Sequence, residues 1–198
     1  MERKEKIHDN QLYHIYNRGN NKQAIFMCHE DYTFFLKRLK EYSKRYSVNT
    51  LIYCLMPNHY HLILSQNTGG NLPQMMDTLA TSVAKRFNLK YKHVGHLFQG
   101  PYKYKSIESD QDFVEVACYI HLNPVIAGLA ENPHDWQYSN YAELESWLKQ
   151  ISEINLHQIL LSFNKVFKGN PIDYISYVEK SRTKGFLRQD IDEAEGNL

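Results

Sequence analysis

The sequence predicts an α+β fold of the ferredoxin-like kind, an antiparallel sheet with helices packed on it and a helical extension at the C-terminal end. Three observations predict it. Short runs rich in Leu, Ile and Tyr recur between turn signals, and amphipathic stretches with apolar residues three and four apart lie between them. Their order along the chain is strand, helix, two strands, helix, strand, helix, which calls for hairpin-linked strands crossed by helices.

Residues 1 to 10 are polar, and Leu12-Tyr13-His14-Ile15-Tyr16 opens the first strand, stopped by Asn17-Arg18-Gly19-Asn20-Asn21. The short Ala24-Ile25-Phe26 segment is expected to extend that edge. His29-Glu30-Asp31 starts a helix with acids at its positive end, and Tyr32, Phe35, Leu36, Leu39, Tyr42 and Tyr46 share one face for packing on the sheet. From Thr50 to Ser65 two apolar runs flank Pro57-Asn58, so a β-hairpin is expected with its second strand starting at or near His59.

A loop over Gln66 to Asn71 leads to a helix with Pro73 near its start and Leu72, Met75, Met76, Leu79, Val83 and Phe87 as its buried stripe. Lys85, Arg86, Lys90 and Lys92 crowd its last turns, where cations suit the helix dipole and can equally face DNA. After the Gly95–Pro101 loop, Tyr102 to Ile107 alternates as a strand with Lys103 and Lys105 on one face and Tyr102 and Tyr104 on the other. Cations interleaved with aromatics suit single-stranded nucleic acid, and a solvated edge strand carries the same pattern. Ser109, with Asp112 three residues on, caps a further helix expected to end near Asn123-Pro124. Trp136 to Tyr141 reads as an aromatic arm, followed by two amphipathic helices, Ile154 to Phe167 and Ile172 to Lys180.

With 198 residues the chain suits one domain, residues 1–150, with an extension over 151–198. Cys28, Cys54 and Cys118 are widely spaced, which suggests neither a disulfide framework nor a cysteine zinc site. No apolar run approaches the ~20 residues of a membrane span, and the charged start lacks a signal-peptide core, so a cytoplasmic location is expected. The net charge of +1 argues against coating nucleic acid by charge alone. The distribution of charge is more informative, because Lys85 to Lys105 holds six Lys or Arg and no acid.

The chemistry centres on His59-Tyr60-His61. Residues two apart in a strand point to one face, so the two imidazoles stand side by side. His-x-His alone is weak, since ten His in this length give about half a chance pair. Burying two imidazoles in register is costly unless each finds a partner, which a metal or a structural hydrogen bond supplies. Tyr119 and Asn123 lie one helical turn apart, and a helix laid across the histidine face could offer a phenol and an amide oxygen to one ion. Two imidazoles, a neutral oxygen and waters suit Mg²⁺ or Mn²⁺ better than Zn²⁺. Asn123 before Pro124 is also a good N-cap for a following turn, and both roles stand at this point. A tyrosine nucleophile beside a divalent ion would store the energy of a broken phosphodiester in a phosphotyrosine, so that the strand can be rejoined without ATP.

Tyr13-His14-Ile15-Tyr16-Asn17-Arg18-Gly19, Met56-Pro57-Asn58-His59-Tyr60-His61-Leu62, Phe98-Gln99-Gly100 with Tyr102-Lys103, and Tyr119-Ile120-His121-Leu122-Asn123-Pro124-Val125 with Ala127-Gly128-Leu129 occur in that order. Together they resemble the single-tyrosine HUH transposases, especially the REP-associated branch, over about residues 10 to 141. Tyr60 fills the place of the bulky hydrophobic residue between the histidines. The resemblance implies a ferredoxin-like nuclease core, metal binding by His59, His61 and Asn123, and attack by Tyr119 on single-stranded DNA at hairpin ends to form a 5′-phosphotyrosine and a free 3′-OH. Members of that family work as monomers or homodimers, and both states stay open. The cations Arg18, Lys85, Arg86, Lys103 and Lys105 are expected to contact DNA, with a nucleoid-associated location. Two other functions compete with this reading. A non-catalytic regulator that binds structured DNA or RNA would keep the Lys/Tyr surface but is expected to lack Tyr119 or a histidine, whereas this sequence keeps them all. A zinc hydrolase would need a further His or acid near the pair, and the sequence singles out none.

Overall fold

In a computed structural model, residues 6–150, 166, 170 and 173–183 are described. They fall into two compact units, residues 1–107 and 108–198. The helix expected over Ile154 to Phe167 lies, apart from Val166, outside the described residues, as does most of the extension expected beyond residue 150.

The first unit is built on four strands, β1 (Leu12–Arg18), β2 (Val48–Met56), β3 (His59–Gln66) and β4 (Lys103–Ile107), with helices α1 (His29–Arg45) and α2 (Leu72–Tyr91). The spatial order is β2-β3-β1-β4 and every neighbouring pair is antiparallel, the split arrangement of a ferredoxin-like sheet. The fold class read from the sequence is therefore the one observed. The helix stripes also fall where the spacing puts them. Leu72, Met75, Met76, Leu79, Val83 and Phe87 are the buried residues of α2. In α1, Tyr32, Phe35, Leu39 and Tyr42 are buried while Leu36 and Tyr46 are half-buried. Each such large side chain contributes about 1.5–3 kcal/mol on burial. Asn71 caps α2 by accepting from the Gln74 N–H at 3.0 Å.

The helices pack on the sheet face carrying Tyr13, Ile15, Tyr60 and Leu62, as the Phe35 and Tyr60 rings show with centroids 5.0 Å apart. Tyr104 belongs to this face too, 5.9 Å edge-on from Tyr13. Ala24-Ile25-Phe26 does not extend the sheet edge. A 3₁₀ turn at Asn20–Lys22 redirects the chain, and the N–H groups of Ile25 and Phe26 both donate to the Pro57 carbonyl, at 2.8 and 3.1 Å. The segment thereby buckles the β2–β3 turn instead of pairing with a strand.

The second unit contains α3 (Asp110–Ile126), a 3₁₀ turn at Pro133–Asp135, α4 (Tyr141–Gln150) and α5 (Asp173–Thr183). Ser109 caps α3 by accepting from the Asp112 N–H at 3.0 Å, as its sequence suggests. The helix does not stop at Asn123-Pro124. It carries Pro124 inside its last turn and closes on Gly128, whose φ is +69°. The Leu129 N–H reaches the Pro124 carbonyl at 2.8 Å and the Gly128 N–H reaches that of Val125 at 3.0 Å, a Schellman closure that only a residue at ease with positive φ allows. The aromatic stretch at Trp136 to Tyr141 leads into α4, a helix for which the sequence reading made no provision.

Candidate functional site

β3 begins on His59, and its pleat turns His59 and His61 to the face opposite the helices, with ring centroids 5.0 Å apart and planes at 84°. Register then decides what joins them. Arg18 stands opposite His59, Tyr16 opposite His61, and Ile63 opposite His14. On the other side of β1, Lys103 stands opposite Tyr16 and Lys105 opposite His14. Paired residues project to the same face, so three of the expected DNA contacts, Arg18, Lys103 and Lys105, share the face of the histidine pair. Lys103 and Lys105 are exposed on the edge strand, and Tyr102 and Tyr104 do not share their face. Tyr102 is half-buried, and burial, helped by the nearby Asp77 carboxylate, pushes its phenol up to about 12.

His61 is fully buried and His59 half-buried. The His59 Nδ1 lies 2.7 Å from the Asn58 carboxamide oxygen, an acceptor, so Nδ1 donates and the lone pair of that ring sits on Nε2. The His61 Nδ1 lies 3.0 Å from Nε2 of His14, whose ring is 5.2 Å away and nearly parallel at 24°. Burial drives the His61 pKa well below that of an ordinary histidine, with the His59 and His14 rings adding to the effect. Burial and then the Lys105 cation bring His14 down to about 3. These imidazoles are therefore neutral, the form that binds metals. His14 and Asn58 were not singled out by sequence reasoning. The alternation of Tyr13-His14-Ile15-Tyr16 put His14 on a face with Tyr16, but no local signal said which histidine lay across from it.

Arg18 at the end of β1 donates from Nε to the Gln99 side-chain oxygen at 2.5 Å, and its carbonyl accepts from the Gln99 N–H at 3.0 Å. That gives Gln99 a structural role in holding the arginine. On α2, Lys85 is exposed and lines a cavity of about 620 Å³ with Asn88, His96 and Gln99. Arg86 instead lays its guanidinium 4.5 Å over the Phe34 ring of α1. Lys90, near the helix end, pairs with Asp31 at 2.8 Å and so serves the packing of α1 on α2.

In the second unit, Tyr119 is half-buried and Asn123 buried on α3, one turn apart. Asn123 is not an N-cap. It sits within the helix, and its carbonyl accepts from the Ala127 N–H at 3.0 Å. Between them His121 turns to the packed side, with Nδ1 2.7 Å from the Tyr174 hydroxyl and Nε2 3.2 Å from the Asn140 side-chain oxygen. Burial lowers its pKa to about 4 against the opposing Asn140 bond, so it stays neutral.

Among the described residues no three of His, Cys, Asp and Glu are grouped to hold a metal ion. A metal shell on His59 and His61 would therefore need oxygen donors of another kind, such as an amide or water. The neutral imidazole of His61 and the donating Nδ1 of His59 fit such a shell by their chemistry.

No helix among the described residues is long and apolar enough to cross a membrane. A family model described as "Transposase IS200 like" matches residues 8–123. A Haemophilus influenzae protein whose name assigns it to the REP-associated tyrosine transposases is 27% identical over 124 residues, which make up 54% of this chain and 66% of that protein. The matched stretch thus spans just under two thirds of the relative's length. A solved structure described as a REP-associated tyrosine transposase bound to a REP hairpin is similar with a TM-score of 0.60 at 14% identity, over 72% of this chain and 84% of that one, a likeness of fold. The matched family region covers more than half of the chain and holds His59, His61, Tyr119 and Asn123, so the chain belongs to the IS200-like transposase family.

Proposed function

We propose that this chain is a site-specific single-strand endonuclease and strand transferase that cuts and rejoins DNA at hairpin ends through Tyr119. The observation that carries the proposal is the register of the sheet, which gathers His59, His61, Arg18, Lys103 and Lys105 on one face. Imidazole nitrogens flanked by cations suit a phosphodiester, the former as metal ligands and the latter for the charge of the backbone. Tyr119, one turn before Asn123 on α3, is the nucleophile. Its oxygen forms a bond to phosphorus as the bond from phosphorus to the 3′-oxygen breaks. The phenol proton ends on that 3′-oxygen, leaving a 5′-phosphotyrosine and a free 3′-OH. Reversal with a new 3′-OH rejoins the strand, so no nucleotide cofactor is consumed.

His59, His61 and Asn123 are the residues proposed to hold a divalent ion, Mg²⁺ or Mn²⁺, which when bound polarises the scissile phosphate. Arg18, Lys103 and Lys105 bind the DNA backbone, with Lys85 contributing from α2, where Arg86 is engaged on Phe34. The name of the Haemophilus relative supports a REP-type DNA substrate and the description of the similar solved structure a hairpin, and a DNA substrate would suit a nucleoid-associated location in the cytoplasm. It acts as a monomer or a homodimer.

The test incubates the protein and its Tyr119→Phe variant with labelled single-stranded hairpin oligonucleotides from the DNA flanking its own gene, with Mn²⁺ or Mg²⁺. The expected result is an adduct that survives SDS, absent in the variant and with EDTA. Cleavage with no adduct, or an adduct that persists in the variant, would overturn the role of Tyr119. Hairpin binding with no cleavage under either metal would make the protein a binding regulator.

A further inference from the structure

His14 stands on β1, 47 residues before His61, and sheet pairing alone brings the two rings together. Its position opposite Ile63 is one step along the face from the Tyr16–His61 pair, so the contact is the diagonal one that long side chains make in an antiparallel sheet. His14 is 8% exposed and His61 0%, and their nitrogens are at hydrogen-bond distance, 3.0 Å from Nε2 to Nδ1.

Each neutral imidazole carries one N–H, so this bond has two possible senses. If His14 donates, the proton of His61 lies on Nε2 and that ring has no lone pair to give a metal. If His61 donates from Nδ1, its Nε2 lone pair is the one presented. His59 supplies the reference, because its Nδ1 faces the Asn58 carboxamide oxygen at 2.7 Å and has to donate, which places its lone pair on Nε2. Two rings side by side can grip one ion only if both present a lone pair, and for this pair that requires His61 to donate. We infer that His14 is a positioning residue: it accepts the Nδ1 proton of His61 and so holds the Nε2 lone pair of His61 in the coordinating tautomer, as Asn58 does for His59. The inference rests on the proposed role of His59 and His61 as metal ligands. Residues that bond the second nitrogen of a metal-binding histidine set both its tautomer and its orientation.

Two measurements on the full chain test this. Long-range proton–nitrogen spectra of protein labelled with ¹⁵N-histidine read the His61 tautomer without any metal, and Nδ1–H is expected. Mn²⁺ affinity, followed by the electron paramagnetic resonance of the free ion, is compared among wild type, His14→Phe and His14→Gln. The phenylalanine keeps the ring and loses the acceptor, and is expected to weaken Mn²⁺ binding by about 10–100-fold. The glutamine places an amide oxygen near the position of Nε2 and is expected to restore most of that affinity, with the Nδ1–H tautomer retained. A His61 proton on Nε2 in wild type, or a His14→Phe protein that binds Mn²⁺ as wild type does, would overturn the inference. Failure of wild type to bind Mn²⁺ would refute the metal-ligand reading itself and with it the positioning role, while the spectra still report the hydrogen bond separately.

Discussion

Replacing Gly19 by alanine is expected to destabilise the first unit and disable the histidine turn in one step. Gly19 has φ −63° and ψ 146°, a conformation open to any residue, so the reason for glycine here is space. A Cβ at this position would fall well inside contact distance of the Gln23 carbonyl oxygen and 3.0 Å from Ile25 Cγ2. The carbonyl is backbone and cannot rotate away. It belongs to the segment whose Ile25 and Phe26 N–H groups hold Pro57, while the Gly19 N–H itself donates to the Asn58 carbonyl at 2.8 Å. Relief of the clash therefore moves the Pro57-Asn58 turn from which His59 projects.

Overpacking against a rigid neighbour costs about 3 kcal/mol, the upper end of its usual range. For a chain of this size each kcal/mol lowers Tm by about 2–4 °C, so a fall of roughly 6–12 °C is expected by circular dichroism. A displacement of ångström scale at the proposed metal ligands is expected to lower the rate of DNA-adduct formation by about 10²-fold. Gly100→Ala is the control. Nothing lies within 4 Å of its added Cβ, and it is expected to stay within about 0.5 kcal/mol of wild type. A Gly19→Ala protein that melts with wild type and forms adduct at the wild-type rate would refute the steric reasoning.

Asp31 supplies a pH-dependent prediction. Burial works against its charge, but bonds from Lys90 at 2.8 Å, the Tyr91 hydroxyl at 2.6 Å and the Met27 N–H at 3.0 Å hold its carboxyl below the usual range. A folded pKa below the unfolded value of about 3.9 means that the stabilisation is fully present above that pH and lost as the pH falls through the folded value. The gap in urea midpoint between wild type and Asp31→Asn is therefore expected to be constant near neutrality and to narrow below about pH 4. A gap that holds unchanged in acid would show that the charge is not responsible. For Lys103→Ala and Lys105→Ala, the slope of log binding constant against log salt for a single-stranded hairpin flank is expected to fall by about 0.7 for each lysine removed. An unchanged slope would take that lysine out of the interface.

Much of the first unit was legible because helix and strand patterns are local. The six apolar positions assigned to α2 are the six that are buried, since a 3.6-residue period leaves little choice of face. The alternation in Tyr102 to Ile107 likewise separated Lys103 and Lys105 from the tyrosines. The end of α3 was harder to read. Proline predicts a stop, but Gly128 offered a better closure four residues on, and the helix carries Pro124 in its last turn. Arg86 was grouped with Lys85 by adjacency, yet neighbouring helix residues point about 100° apart, and Phe34 of another helix stacks with its guanidinium.

The sequence by itself determined the order of elements as far as α3, the faces of α1 and α2 and the pairing of His59 with His61, because each depends on spacing within a few residues. Only the tertiary structure decided that His14 meets His61 and that Arg18 and the β4 lysines stand on the histidine face. Those outcomes depend on strand order and register between segments tens of residues apart, where a shift of one residue would turn every side chain of a strand to the opposite face.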